Sequence, residues 1–499
     1  MAVHNPAHGK PAFLVQPGSF RYTEHYYPKV LNAQIHSMVA FFLSMTTEQI
    51  VSRYCHLHPQ TPKHQLSQWL DYSPKFFAWS GSDLFNVTTS QGVRRMVLLE
   101  TNSSPSGQKS LPLLDERAEQ GGYRLLLEKT FKPMVEARRL PIGGLAVLYD
   151  KNPMETTGYT KVMADVFGEP VFGVEYYEDD PDPSARFDDG VLHVRDADGL
   201  WHPIRAAFRY VTQRPWTRIP ILTKTFIFNP VLACLSGGRN KLVAAKAYDI
   251  FNAELVGSGL AIQLPHTIRD VQKEEIPMWL QSMGGFGVVK IPYSNAGQGV
   301  FTITSQAELE KFMERDYPYD QFIVQSLIGN YKWSSRVADR QFFHVGTVPN
   351  QQQDIYVADI RMMIHATDEG FRPLATYARR ARMPLMDELR PEVASWDMLG
   401  TNLSVKTSGG GWDAETERLM IMDRRDFNRL GVGLDDLIEG FVQAVLATIA
   451  IDKMAAMLLT QKGRFRYKLY RSLNNDDALF REIEMASPQK GESSGLSTE

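Results

Sequence analysis

The stretch Gly284 to Phe301, GGFGVVKIPYSNAGQGVF, constrains this 499-residue chain more than any other. It reads as an apolar strand ending in Lys290, a turn at Pro292, a small polar loop holding Gly297 and Gly299, and a second strand. A lysine at a strand end followed by such a loop suits a polyphosphate. The loop's N–H groups can turn inward as an anion nest, and glycine lets the backbone come close. The stretch fits neither GxxxxGK[ST] nor GxGxxG. Plain β-turns use the same residues, so the rest of the chain decides what this loop is for.

That rest is ordinary for a globular protein, with 43% hydrophobic and 22% charged residues, and is long enough for two or three lobes. A formal net charge of −3 argues against a dedicated binder of nucleic acid or anionic membrane. Two cysteines, Cys55 and Cys234, exclude a disulfide framework and a Cys-rich metal site. Cys55, His56, His58 and His64 lack the paired spacings of a zinc site. No basic-then-apolar leader and no long apolar run is seen, so a cytoplasmic protein without membrane partners is expected. A homodimer is the default oligomer by symmetry.

Patterning divides the chain into an N-terminal arm (1–30), a region of helices and one hairpin (31–140), a Rossmann-like unit (141–235), a glycine-loop region (236–412), a helical segment (413–485) and a tail of disordered composition (486–499). Helices are expected over 31–72, with Thr46 or Thr47 as an N-cap, over 110–140, after Gly238, near 305–315 and over 434–459. Hairpins turn at Ser90-Gln91-Gly92 and at Asp368-Glu369-Gly370. GLAVLYD (144–150), a helix to about 167 and PVFGVEYYE (170–178) form a βαβ unit. QFIVQSLIG (321–329) reads as a strand that stops at Gly329.

The chemistry gathers in Asp83 and in VLLETNSSPSG (97–107). Glu100 and Asn102 are two apart on a strand and share a face; Asp83, on the paired strand, can reach that face. Two carboxylates and an amide oxygen form a hard set of the kind Mg²⁺ prefers, shared with phosphate oxygens. The SSPSG that follows suits a substrate carboxylate, through the hydroxyls of Ser104 and Ser106 and backbone N–H groups. Taken alone, the stretch reads better as a polar strand end with an ordinary Asn-Ser-Ser-Pro turn.

Together, VVKIP with its glycine loop, FIVQSLIG, VADIRM and ETNSSPSG resemble the ATP-grasp superfamily. The acid-x-Asn motif precedes the glycine loop here, an order that resembles the circularly permuted members, above all the eukaryotic-type glutathione synthetases, over roughly residues 80–412. The resemblance implies an α+β fold of two lobes clamping ATP, with permuted chain order and an inserted Rossmann-like βαβ substrate domain. It implies ATP and Mg²⁺ as cofactors, and a carboxylate and an amine as small-molecule substrates. Lys290 and Lys241 would contact phosphates, with Lys246 as the rival of Lys241. Asn295, Ala296, Gly297, Gln298 and Gly299 would form a flap over the γ-phosphate. The backbone of Val324, Gln325, Ser326 and Leu327 would bind adenine, Gln325 standing where many members have a glutamate. Asp83, Glu100 and Asn102 would hold Mg²⁺. Arg361 would face the transferring phosphoryl. Of Arg379 and Arg380, on opposite faces of one strand, one would face the site: Arg380 is taken as catalytic and Arg379 as substrate-binding. Arg209 (in AAFRY), Asn402 and the Gly409–Gly411 run would complete the substrate site. Two departures argue against glutathione as product: Gly81 stands where the synthetase pattern has a substrate-holding arginine, and the glycine loop carries no charge. A protein-modifying ATP-grasp enzyme and a non-catalytic nucleotide clamp stay open, and a simple Rossmann-type binder is a weaker option.

Overall fold

The protein is described here by a computed structural model covering residues 9–294, 297–337, 341–390, 392–406 and 412–486. Asn295, Ala296, the Gly409–Gly411 run and the tail beyond residue 486 lie outside the described residues. Three larger sheets and their helices make a mixed α+β architecture.

The seven-stranded sheet is built on Gly144–Tyr149, which runs parallel to Val171–Glu175 on one side and Trp201–Tyr210 on the other. The helix Pro153–Phe167 makes the crossover, so the expected βαβ unit is present. Its central strand is apolar nearly throughout because both faces are covered. Part of the expected N-terminal arm belongs to this sheet: Phe13–Val15 pairs antiparallel with Val171–Glu175. The Phe13 ring occupies the space where a Cβ on Gly173 would stand.

The second sheet carries both expected hairpins and joins them. Trp79–Thr89 pairs with Arg94–Asn102 on one side and with Ala358–Thr367 on the other, and Gly370–Arg380 follows. One face rests on the almost wholly buried helix Leu434–Met457. There Leu84, Met96 and Met362 close around Gly440, which has no side chain to hold them off. The opposite face is open and carries the polar residues discussed below.

The third sheet is a small antiparallel lobe of Thr267–Val271, Phe322–Gln325, Gly287–Lys290 and Val300–Ile303. With the helices Ile276–Ser282 and Gln306–Met313 it encloses a separate core of Val271, Leu280, Val289, Phe312 and Val324.

Two expected elements are shorter than the pattern suggests. Helix over 110–140 forms only from Gly121 to Glu136, since Pro112 disfavours helical backbone at Leu111. The strand expected over 321–329 ends at Gln325. Beyond it the Ser326 N–H turns to the His266 carbonyl and the Leu327 N–H to the Ser335 hydroxyl.

Candidate active site

All three sheets line one cavity of about 550 Å³. Val288, Lys290 and Thr302 come from the small lobe, Glu100, Asp359, Arg361 and Tyr377 from the open face of the hairpin sheet, and Lys151, Asn152 and Tyr210 from strand ends of the seven-stranded sheet.

The sheet's register organises its polar floor. Glu100 lies opposite Asp83, Asp83 opposite Arg361, and Arg361 opposite Tyr377, a row across four strands. One step along, Asp359 lies opposite Arg379. Directly paired residues share a face, so five charges converge. Arg361 grips Asp83 with a fork, Nε to Oδ1 at 2.6 Å and Nη2 to Oδ2 at 2.7 Å. Arg379 pairs with Asp359 and also reaches Asp83 Oδ2 at 2.9 Å. Burial alone would raise the Asp83 carboxyl, but Arg361 and then Arg379 hold it well below the usual carboxylate range.

A β-bulge brings Glu100 into this row. The register jumps between Asp83–Glu100 and Leu84–Leu98, leaving Leu99 as an extra residue. Leu98 packs into the core with Leu84, and without the insertion Glu100, two residues on, would share that face. The bulge turns Glu100 and Asn102 to the cavity instead. It also leaves the Leu99 carbonyl free to accept from Lys290 Nζ, at 3.4 Å.

Lys290 and Lys241 meet Glu100 from two other elements. Lys241 opens the helix Lys241–Glu254, which Asn240 caps by accepting from the Val243 N–H. Its Nζ lies 3.5 Å from Glu100 and donates to the Ser294 carbonyl at 2.6 Å. The rival Lys246 is turned away, to Asp270 and the Leu473 carbonyl. Burial would raise the Glu100 carboxyl; Lys241, Lys290 and Arg361 outweigh it and keep the group ionised. Lys290 is 7% exposed, and burial pulls its ammonium down to about 8 although Glu100 favours the charge. Affinity for a polyanion at Lys290 is therefore expected to fall as pH rises through about 8, where Lys290 loses its proton. Titration calorimetry across that range checks this. In Lys290→Arg, whose guanidinium stays charged, the profile should flatten.

Several sequence-based assignments need correction. Asp83 is not available as a metal ligand, since both its oxygens are engaged by Arg361 and Arg379. Arg379 is the arginine that faces the cavity; Arg380 points away, over the Tyr356 ring and toward the Ala381 carbonyl. Arg209 is 0% exposed, and its guanidinium is fixed by the carbonyls of Asn229 and Val211 and by Ser103, so it meets no substrate. Leu327 commits both backbone groups to Ser335 and Ser326 its N–H to His266. Val324 and Gln325 are ladder residues paired on both sides, so the backbone expected to read adenine is largely occupied. Ser104 and Ser106 line the cavity, but their hydroxyls donate to the Arg209 carbonyl and to Glu155. Asn402 lines the cavity, and Gly297 packs closely on Trp396 and Asn402. Gln298 and Gly299 follow in the same loop, Gln298 lining a neighbouring pocket with Trp396 and Asn402.

Four further residues that line the cavity carry no sequence signal of a site: Lys109, Lys151, Asn152 and Arg239. Buried Glu155 shapes the cavity by accepting from Ser106 Oγ at 2.7 Å and from the N–H groups of Gly107 and Gln108 at 2.9 and 3.0 Å. Tyr377 pins the same loop through the Ser106 carbonyl at 2.8 Å. Only Arg239 stood near a recognised signal, two residues before Lys241.

The site also explains the departure at Gly81. A Cβ there would stand 2.4 Å from Pro105 Cβ, so the SSPSG loop fills the space a side chain would need. Gly81→Ala is expected to displace that loop and destabilise the fold by about 1–3 kcal/mol, as overpacking does, measurable by denaturant titration.

For a divalent cation, the structure offers the Glu100 carboxylate and Asn102 Oδ1. The Asn102 amide nitrogen donates to Glu100 Oε1 at 3.3 Å, which leaves its oxygen facing outward. One carboxylate and one amide oxygen fit Mg²⁺, which completes its shell with water and phosphate oxygens. Among the described residues no cluster of three or more His, Cys, Asp or Glu side chains could hold a metal alone. No described helix is long and apolar enough to cross a membrane.

No protein-family model and no curated protein sequence matches the chain. Among solved structures, it is similar to a RimK-domain ATP-grasp protein from Sphaerobacter thermophilus, at 14% identity and TM-score 0.28, over 47% of this chain and 90% of that one. A glutathione synthetase-like effector from Globodera pallida, in apo form, matches at 10% identity and TM-score 0.35, over 74% of this chain and 87% of that one. N5-carboxyaminoimidazole synthetase from Staphylococcus aureus, complexed with ADP, matches at 10% identity and TM-score 0.23, over 55% and 80%. At these TM-scores the site's own side chains carry the functional reading. The chain resembles ATP-grasp and glutathione synthetase-like structures, the kinds its motifs resemble.

Proposed function

We propose that the chain is an ATP-dependent carboxylate–amine ligase of permuted ATP-grasp order, with the seven-stranded sheet as its inserted substrate domain. The observation that carries this reading is the meeting of Lys241, Lys290 and Glu100, from three elements, in a small pocket beside the cavity. Glu100 and Lys290 come from strands some 190 residues apart, and their elements share no local reason to meet.

In this reading ATP lies between the small lobe and the hairpin sheet, with its phosphates toward Lys290 and Lys241. Mg²⁺, held by Glu100 and Asn102, would supply charge neutralisation to the phosphate oxygens. A substrate carboxylate oxygen attacks the γ-phosphorus; the O–P bond forms, the bond to the bridging oxygen breaks, and ADP leaves with that electron pair. An amine then adds to the acyl carbon of the acylphosphate, phosphate leaves with the C–O electron pair, and the amine proton passes to it or to water. The chain's own task is positioning and charge. Asp83 holds the plane of Arg361 by the fork, leaving Nη1 along the cavity near the Ser106 carbonyl, at 3.5 Å. A donor fixed before the reaction meets the developing negative charge without reorganising.

The test is ADP release from ATP and Mg²⁺, screened against pairs of small carboxylic acids and amines. Release that requires both members of a pair is the expected result. Tight ATP binding with no ADP release from any pair would overturn the ligase reading in favour of a nucleotide clamp.

A further inference from the structure

Lys241 is held in place by contacts that bracket it on two sides. Its backbone N–H donates to the Pro292 carbonyl at 3.0 Å and its Nζ to the Ser294 carbonyl at 2.6 Å. Asn240 precedes the lysine, and Tyr293 stands between the two accepting residues. Both side chains bond to Asn474, in the turn between the helices Tyr467–Leu473 and Asp477–Ala486. Asn240 Nδ2 donates to Asn474 Oδ1 at 2.6 Å and to the Tyr470 hydroxyl at 3.0 Å, while its Oδ1 caps the Lys241 helix. Asn474 Nδ2 donates to the Tyr293 hydroxyl at 2.7 Å, and that hydroxyl donates to Asp476 Oδ2 at 3.1 Å. Asp476 Oδ1 accepts from the N–H groups of Ala478 and Leu479 at 3.1 and 3.2 Å. Neither Asn474 nor Asp476 lines the cavity or the small pocket beside it.

Each bond in this series has a fixed direction. Asn240 uses both amide hydrogens on Asn474 and Tyr470, so its oxygen must face the start of the helix. Asn240 and Asn474 are 0% exposed, Asp476 1% and Tyr293 3%, so water has no room to replace a missing partner. A buried polar network holds its geometry only while every member is paired. The same segment also reaches both flanking lobes. Glu482 accepts from Trp216 Nε1 at 2.8 Å, in the loop after Trp201–Tyr210, and from the Tyr319 hydroxyl at 3.0 Å, just before Phe322–Gln325. From this geometry we infer that Asn474, Tyr293 and Asp476 are positioning residues for Lys241: they join the start of its helix to the root of the glycine loop, and so hold the ammonium beside Glu100 before a phosphate arrives. A group ordered in advance loses less freedom when its ligand binds. The inference rests on the ligase reading and adds to it the groups that set one of its phosphate lysines.

The test is titration calorimetry of the full chain with Mg²⁺, using the non-hydrolysable analogue AMP-PNP and, as the probe without phosphates, adenosine. Tyr293→Phe removes one hydroxyl and keeps the ring against Tyr319 and Trp216; Asn474→Ala removes the central amide. Each is expected to weaken AMP-PNP on the order of tenfold, the scale of one charge-assisted contact, and to leave adenosine within about twofold. In a Lys241→Met background the same substitutions should weaken AMP-PNP by no more than about twofold further, because residues that act through one group are not additive. A role in folding alone would lower the denaturation midpoint, weaken both ligands alike and add in full to Lys241→Met; equal weakening or full additivity would overturn the inference. Tyr293→Phe decides the matter if Asn474→Ala does not fold. Wild-type protein that binds AMP-PNP no better than adenosine sinks the ligase reading, whereas a wild-type preference with additive losses sinks only the positioning role.

Discussion

Replacing Asp83 by asparagine is expected to lower the stability of the fold by about 3–5 kcal/mol, the scale for removing one partner of a buried ion pair. The carboxylate takes the Arg361 fork and one Arg379 bond in a side chain that is only 6% exposed. Its loss leaves Asp359 as the sole carboxylate between two buried guanidinium groups. Arg361 would keep its packing over Tyr377 but lose the fork that fixes its plane. Denaturant titration should show the shift with or without Mg²⁺ and nucleotide. Because the Asp83 carboxyl is held below its unfolded value, its contribution is complete above the unfolded pKa of about 4 and is lost only as pH falls through the lower, folded value. An unchanged midpoint together with lost turnover would return Asp83 to the metal set.

Lys290→Met and Glu100→Gln should behave oppositely, lowering ADP release on the order of 10²–10³ for one lost charge contact while leaving the unfolding midpoint near wild type. Lys290 sits at a strand end and makes one long bond, to the Leu99 carbonyl. Its buried ammonium is already disfavoured by desolvation, so a thioether of similar length relieves a cost as it removes a function. Glu100→Gln keeps the volume and the contact with Asn102 but frees Lys241 from its counter-charge. A single-turnover assay separates this loss from a binding defect. Wild-type turnover in both variants would sink the assignment.

The contrast between these two predictions marks what could be read from the sequence. The hairpin over 79–102 has a clear turn, and Glu100 and Asn102 share a face by spacing alone, both lying beyond the bulge at Leu99. Lys290 at the end of an apolar strand was equally plain, as was the βαβ unit, because strand and helix periods differ. What failed depends on partners distant in the chain. Asp83 looks like a ligand until Arg361, 278 residues later, is paired beside it. The alternation of Arg379 and Arg380 says that they face opposite ways but not which way, until Ala358–Thr367 sets the register. Arg209 follows a strand pattern that says nothing of the three backbone carbonyls waiting for its guanidinium. Lys109 and Lys151 sit in loops without a motif, and only the meeting of two sheets brings them to a common cavity.

The placement of Trp79–Thr89 between a local partner and a distant one has a consequence for biosynthesis. Arg94–Asn102 can pair with it as soon as it leaves the ribosome, but the other edge must wait for Ala358–Thr367. At about 5–20 residues per second, the 278 residues between Asp83 and Arg361 correspond to roughly 15–55 s of translation. Throughout that interval an apolar strand edge stands open with a carboxylate whose counter-ions are not yet made. Such an edge invites pairing with other chains, so nascent chains halted between residues 103 and 357 should be the ones that chaperones retain.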